Sequence, residues 1–328
     1  MAGASRARIA AVGAGRMGRG IAQIFAYAGH EVALIDVKPR DAGAAASLLA
    51  EARAEIAGNL AFLVELSVLA PEQVETVLAR ISLHDEAAAD AAMASAEVLF
   101  EGVSERLDAK QPVLRRMAAA AGPEAILAST TSTMSVNELA ACVDRPQRFI
   151  NTHFLNPAYL IPLVEVSPGD ATDAAVREAM LELLRTAGKK PVLCAASPGF
   201  IVPRIQAVAM NEAARMVEEG VATAEDIDAA IRYGFGLRYA TMGLVEFIDW
   251  GGGDILYYAS KYLQGALGSD RYAAPEIVER KMADGHTGMD AGQGFYDFAA
   301  MDVPAYRREK MALFVGLLRH FELLTPPR

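Results

Sequence analysis

Cysteine is nearly missing from this chain: Cys142 and Cys194 are the only two in 328 residues. Two isolated cysteines make neither a zinc pattern nor a disulfide framework, and they point to a reducing, cytoplasmic setting. Long apolar runs are missing too. None reaches the ~18 residues that a membrane span requires. The opening "MAGASRARIAAVGAG" has no signal-peptide apolar core ahead of its first motif. Positive charge is scarce, with a net charge of −10, which argues against nucleic acid as a partner, although a local basic pocket is compatible with it. There is no G-x-S-x-G, so a serine hydrolase is not indicated. What remains is an ordinary globular composition, 53% hydrophobic and 22% charged, at a length that suits two domains.

The first half alternates between strand and helix patterns. Apolar strands are expected at 8–12, 30–36, 97–100, 126–129, 149–154, 163–166 and 191–194. Helical patterns lie near 17–27, 42–68, 71–79, 87–96, 109–120, 135–141 and 171–187. Such alternation implies a mostly parallel sheet with helices on both faces. After Cys194 the character changes. "CAASPG" reads as a linker, so the domains are placed at 1–196 and 197–328. Beyond it only helices are expected, near 200–219, 223–232, 254–267 and 273–284, with "DWGGGD" (249–254) as a turn. A C-terminal extension from about 299 reads as helical over 304–323.

"AAVGAGRMGRGIAQ" sets G-x-G-x-x-G at Gly13, Gly15 and Gly18, directly after the first strand and at the front of a helix. In that context the loop reads as a Rossmann-type dinucleotide site, with Arg16 and Met17 inside it. Gly13 permits the tight turn, Gly15 lets a pyrophosphate approach, and Gly18 lets helix and strand pack. Asp36 ends the second strand. A carboxylate there accepts from ribose hydroxyls and repels a 2′-phosphate, which favours NAD over NADP; Lys38 and Arg40 close by weaken that preference.

"NTHFLNPAYLIPLVEV" (151–166) carries His153 at a strand end and Glu165 inside a second apolar strand. A carboxylate among apolar neighbours needs a partner, and His153 is the natural one. Such a pair makes a general base that takes the proton of an alcohol as hydride leaves. The competing reading is a satisfied core histidine beside an unrelated glutamate. In "ASTTSTMS" (128–135), Ser132 stands where doubly wound sheets bind ligands, while Ser135 and Glu138 fit a capping box.

Taken in order, "IAAVGAGRMGRGIAQ", "FEGVSERLDAK", "ILASTTSTMSVNELA", "HFLNP", "LVEV", "PGFIV", "NEAARMVEEGVATAEDID" and "GQGFYDF" resemble the 3-hydroxyacyl-CoA dehydrogenases, including the bacterial 3-hydroxybutyryl-CoA dehydrogenases. The resemblance implies His153 as catalytic base, Glu165 as its orienting carboxylate, and Ser132 as the group bonding the substrate hydroxyl. It places Asn156 near nicotinamide and substrate, and makes Glu105 and Lys110 cofactor contacts. It also implies dimerisation through the helical domain and oxidation of a short-chain 3-hydroxyacyl-CoA with NAD. Three departures stand against the acyl-CoA expectation. Pro203 takes the place of an asparagine that clamps substrate in the family. No lysine occurs between Lys38 and Lys110, although the family's helix there carries lysines for CoA phosphates. Residues 41–100 hold ten acidic side chains against Arg53 and Arg80 alone, a poor surface for a phosphorylated carrier. "YLIPLVEV" and "GFGLRYATMG" are more similar to gulonate and carnitine dehydrogenases and to lambda-crystallin. On that branch Arg238 would fork the carboxylate of a free hydroxy acid; otherwise it is a surface or interface arginine. A crystallin-like protein that binds nucleotide without turnover is the remaining alternative.

Overall fold

A computed structural model describes residues 6–325. Eight strands form one sheet in the order β3-β2-β1-β4-β5-β6-β7-β8. They are β1 (Ile9–Val12), β2 (Val32–Ile35), β3 (Ile81–His84), β4 (Val98–Glu101), β5 (Ile126–Ser129), β6 (Phe149–Phe154), β7 (Leu163–Pro168) and β8 (Lys190–Leu193). The first six are parallel; β7 turns back against β6, and β8 runs with β7. The mostly parallel, doubly wound sheet is the one the alternation implies. β3 is an addition: four residues at the sheet edge, too short and too exposed to show as an apolar run.

Helices α1 (Arg16–Tyr27), α2 (Ala42–Glu65), α3 (Gln73–Leu78), α4 (Ala89–Ser95), α5 (Leu107–Ala120), α6 (Val136–Ala140) and α7 (Ala174–Thr186) accompany the strands. Side chains alternate across each strand, so one strand feeds two cores. Ile9 and Ala11 of β1 join Ile21, Phe25, Ile56, Leu60 and Met180 on the face of α1, α2 and α7. Ala10 and Val12 join Met93, Leu114, Met117 and Leu139 on the face of α4, α5 and α6. This double cover is why the central strands read as continuous apolar runs. Ser135 sits at the N-cap of α6 as expected, but its side chain makes no capping bond. Its hydroxyl therefore does not form the expected capping box.

The chain divides into two compact units after Met210, inside α8 (Val202–Glu218). The start of α8 is tied to the sheet by side-chain bonds described below, which is why the division falls beyond the "CAASPG" stretch. The second unit continues with α9 (Ala224–Ala230), a π-helical stretch Ile231–Gly236, α10 (Leu237–Tyr239), α11 (Leu244–Gly251), α12 (Gly253–Leu267), α13 (Glu276–Ala283) and α14 (Val303–His320). Residues 249–251, expected in a turn, close α11 instead; Gly252, at φ +99°, makes the break before α12. Asp249 of α11 is buried and accepts from the backbone N–H groups of Phe295 and Tyr296 (2.9 and 2.8 Å), which folds "GQGFYDF" onto this helix. Among the described residues no helix is long and apolar enough to cross a membrane.

Candidate active site

The glycine loop leaves β1 and enters α1. Gly13 has φ +111°, in the region closed to most side chains, and it lies against Gly102 at the end of the neighbouring β4. A Cβ on Gly18 would stand 1.8 Å from the Gly13 carbonyl oxygen, so only glycine allows α1 to start this close to β1. Gly15 differs: nothing lies within 4 Å of where its Cβ would be. It is the N-cap of α1, no side chain caps the helix, and no acidic residue occupies its first turn. An uncapped helix N-terminus facing open space fits a pyrophosphate. Exposed Arg16 adds positive charge at the same place. Asp36 follows β2 and is buried; its carboxylate accepts from Arg40 Nε at 2.6 Å and, more weakly, from the Lys38 backbone N–H at 3.3 Å.

A cavity of about 480 Å³ opens beside this loop. Gly15, Arg16 and Met17 form one wall. Glu105, Ser132, His153 and Asn156 also line the cavity. Seven residues singled out from sequence thus share one cleft, built from the C-terminal ends of parallel strands. Gly102, Val103 and Thr130 also line it and were not anticipated; their signal lay in the stretches after β4 and β5, where such sheets place ligands.

His153 and Glu165 lie directly opposite each other in the antiparallel β6–β7 register. The reversal of the chain through 155–162 therefore converts a twelve-residue spacing into a cross-strand pair. His153 Nδ1 is 2.7 Å from Glu165 Oε2. The other carboxylate oxygen, Oε1, accepts from the backbone N–H groups of Ile201 and Val202 at 2.8 and 2.7 Å. Glu165 is buried, so its negative charge is met by an imidazole on one side and a helix start on the other. Nδ1–H donates to the carboxylate, which leaves Nε2 as the basic nitrogen. Phe200, buried at φ +45°, stacks on the His153 ring with centroids 6.0 Å apart. Phe200 and the two amides were missed as individual residues, although "PGFIV" contains all three.

Pro203 is the second residue of α8. The anion cradle stops at Val202 because proline has no N–H to offer. Pro203 is not among the residues that line the His153 cavity.

Lys110 departs from its expected place. It is 1% exposed, with Nζ 2.9 and 3.0 Å from the two oxygens of Glu101 and 3.2 Å from Glu105 Oε2. The side chain is turned inward, and its route to the cavity runs through Glu105. Glu105 Oε1 accepts from the Thr131 hydroxyl (2.6 Å) and from the Ser132 backbone N–H and hydroxyl (2.8 and 3.1 Å). Burial alone would raise the Glu105 pKa; the Thr131 hydroxyl, the Lys110 charge and the Ser132 amide outweigh it and hold the carboxyl below its usual range. Arg238 lies in the second unit, with its guanidinium 4.9 Å from the Phe247 ring centroid and Nε donating to Gly234 O.

A model of the "3-hydroxyacyl-CoA dehydrogenase, NAD binding domain" matches residues 8–197, and the C-terminal domain model of the same family matches 199–298. The chain belongs to the 3-hydroxyacyl-CoA dehydrogenase family. A 3-hydroxybutyryl-CoA dehydrogenase of Bradyrhizobium diazoefficiens is 36% identical over 298 residues, spanning 90% of this chain and 97% of its own. A 5-formyl-3-hydroxy-2-methylpyridine 4-carboxylate 5-dehydrogenase of Mesorhizobium japonicum is 29% identical over 316 residues, spanning 96% and 98%. The crystal structure of a 3-hydroxyacyl-CoA dehydrogenase of Archaeoglobus fulgidus superposes with a TM-score of 0.76 at 32% identity, covering 97% of this chain and 100% of that one. The chain is accordingly an NAD-dependent oxidoreductase acting on a secondary alcohol, and the open, uncapped loop at Gly15 fits that cofactor.

Proposed function

We propose that this enzyme oxidises the 3-hydroxyl of a short-chain 3-hydroxyacyl-CoA to the ketone. The reading is carried by the His153–Glu165 pair, 2.7 Å apart, in the cavity that begins at the glycine loop. NAD, when bound, accepts the hydride. His153 Nε2 takes the hydroxyl proton. Glu165 holds the ring in the productive tautomer and faces the positive charge that develops on it. Ser132 and Asn156 orient the substrate oxygen, and Glu105 fixes the 131–133 turn that carries Ser132. Apolar side chains left exposed on α8 and α12, among them Val208, Met210, Ile255 and Tyr262, support a homodimer through the helical region.

A second reading is a free hydroxy carboxylate as substrate. On α2, Asn59 is neutral and donates to Gln23 Oε1 at 3.1 Å, and Glu55 is acidic and takes up Arg19, so these positions supply no cation to CoA phosphates. The Mesorhizobium relative, named for a free carboxylate, aligns over 316 residues, 96% of this chain. The Archaeoglobus fulgidus acyl-CoA enzyme covers 97% of this chain as well, so the C-terminal extension itself does not separate the readings. NADH formation separates the readings. Turnover with 3-hydroxybutyryl-CoA supports the first. Turnover only with 3-hydroxybutyrate, carnitine or gulonate would replace it with the second, and no turnover with any of them would remove both.

A further inference from the structure

We propose that the first unit carries a second binding site, for a small carboxylate with an apolar body, in the cavity between α1, the end of α2, the β6–β7 loop and the α7–β8 turn. The cavity holds about 310 Å³, the lower end of the ~300–1,000 Å³ typical of ligand pockets. It shares no lining residue with the His153 cavity. Ile24, Leu63, Val68 and Leu160 supply apolar wall, and Tyr27 and Tyr159 supply aromatic wall.

Two polar groups in this wall lack what a carboxylate would bring. Gln23 is 1% exposed, and its Nε2 has no hydrogen-bond partner, while its Oε1 is engaged by Asn59. A buried donor without an acceptor is costly, and a side-chain rotation that brings it to a ligand oxygen would satisfy it. Lys189 is 7% exposed and donates to the carbonyls of Ala158 (2.6 Å) and Ile161 (2.9 Å). An ammonium has three donors, so one remains. No acidic residue lines the cavity. Uncompensated burial pushes the Lys189 ammonium down to about 8, as expected of a cation without a counter-ion. A spare ammonium donor, an unpaired amide and a mostly apolar wall in one cavity describe the complement of a fatty or aromatic monocarboxylate. The proposed alcohol oxidation uses none of these groups.

Sodium hexanoate, titrated calorimetrically into the full-length protein saturated with NAD, tests the site, with hexanamide as the neutral isostere. Saturable hexanoate binding is expected, weakened about tenfold or more in Gln23→Leu, which removes the free donor. Ala187→Phe, which fills the cavity from its α7 side, is expected to abolish binding and to retain turnover, which reports that it folds. His153→Ala is expected to bind hexanoate as the parent does. Absence of saturable binding would overturn the proposal. So would hexanamide binding as tightly as hexanoate, or hexanoate affinity unchanged in Ala187→Phe.

Discussion

Replacing His153 by alanine removes the imidazole proposed to take the hydroxyl proton and leaves the glycine loop untouched. Turnover is expected to fall by about 10²–10⁴-fold. NAD affinity, followed by fluorescence titration, is expected to stay at the parent value; a parallel loss of both would mean that the ring is structural. Lys189 gives a prediction with a definite sign. Its folded pKa, about 8, lies below the ordinary 10.5, so between these values the unfolded chain binds more protons than the folded one. Stability is therefore expected to rise with pH across that window as the cost of the buried charge is relieved. Lys189→Met removes this contribution, and urea unfolding of both proteins at several pH values should show a steeper rise for the parent. Equal slopes would show that Lys189 is well solvated. The His153 effect was legible in the sequence, whereas the Lys189 effect was not. The spacing of twelve from His153 to Glu165 suggested a pair, but nothing in "GKK" distinguished a buried lysine from a solvated one.

At the scale of elements, helix starts do more here than begin helices. The α1 start stays uncapped for the cofactor, whereas the α8 start spends its first amides on Glu165. Pro203 ends that cradle at two donors. Pro203→Ala is expected to change stability by no more than about 1 kcal/mol, because proline is at ease in a first helical turn. A much larger loss in thermal unfolding would show that the ring packs against something essential. The Asp249 clasp is the opposite case. Asp249→Asn sets an amide where two backbone donors need acceptors, and about 3 kcal/mol of stability is expected to go, read as a lower urea midpoint at unchanged m. Strand and helix patterns gave the parallel sheet because the central strands are buried on both faces. β3 escaped because an edge strand of four residues carries little apolar signal. α11 escaped because its last turn runs into a glycine run, and local composition does not show that Asp249 bonds a segment 46 residues away.

At the scale of the molecule, the cleft draws its residues from the ends of β1, β4, β5 and β6, so the motif order along the chain already carried most of the site. Substrate identity was less legible, since it depends on which charges are free rather than on which are present. Arg16 and Arg19 look alike in sequence, yet Arg19 is tied to Glu55. The extension beyond residue 298, outside the matched family models, is equally a question of pairing. It forms α14, whose Lys310 lies 2.7 Å from Glu246 of α11 and donates to Thr241 O, while Tyr306 also bonds Glu246. Burial would raise the Glu246 carboxyl; the bonds from Lys310, Tyr306 and the Gly243 amide outweigh it and hold it below its ordinary 4.5. Its contribution to stability is therefore complete above that value and is lost as pH falls through the lowered folded value. Lys310→Met leaves Glu246, whose side chain is 14% exposed, without its counter-charge, and is expected to cost about 2 kcal/mol at neutral pH. The gap between parent and variant should narrow as pH falls below 4.5, because protonating Glu246 removes the ion pair from the parent and the uncompensated charge from the variant. Unfolding midpoints at neutral and acidic pH measure that gap. A gap independent of pH would mean that α14 is held by its apolar face and that the Glu246 cluster only decorates the contact.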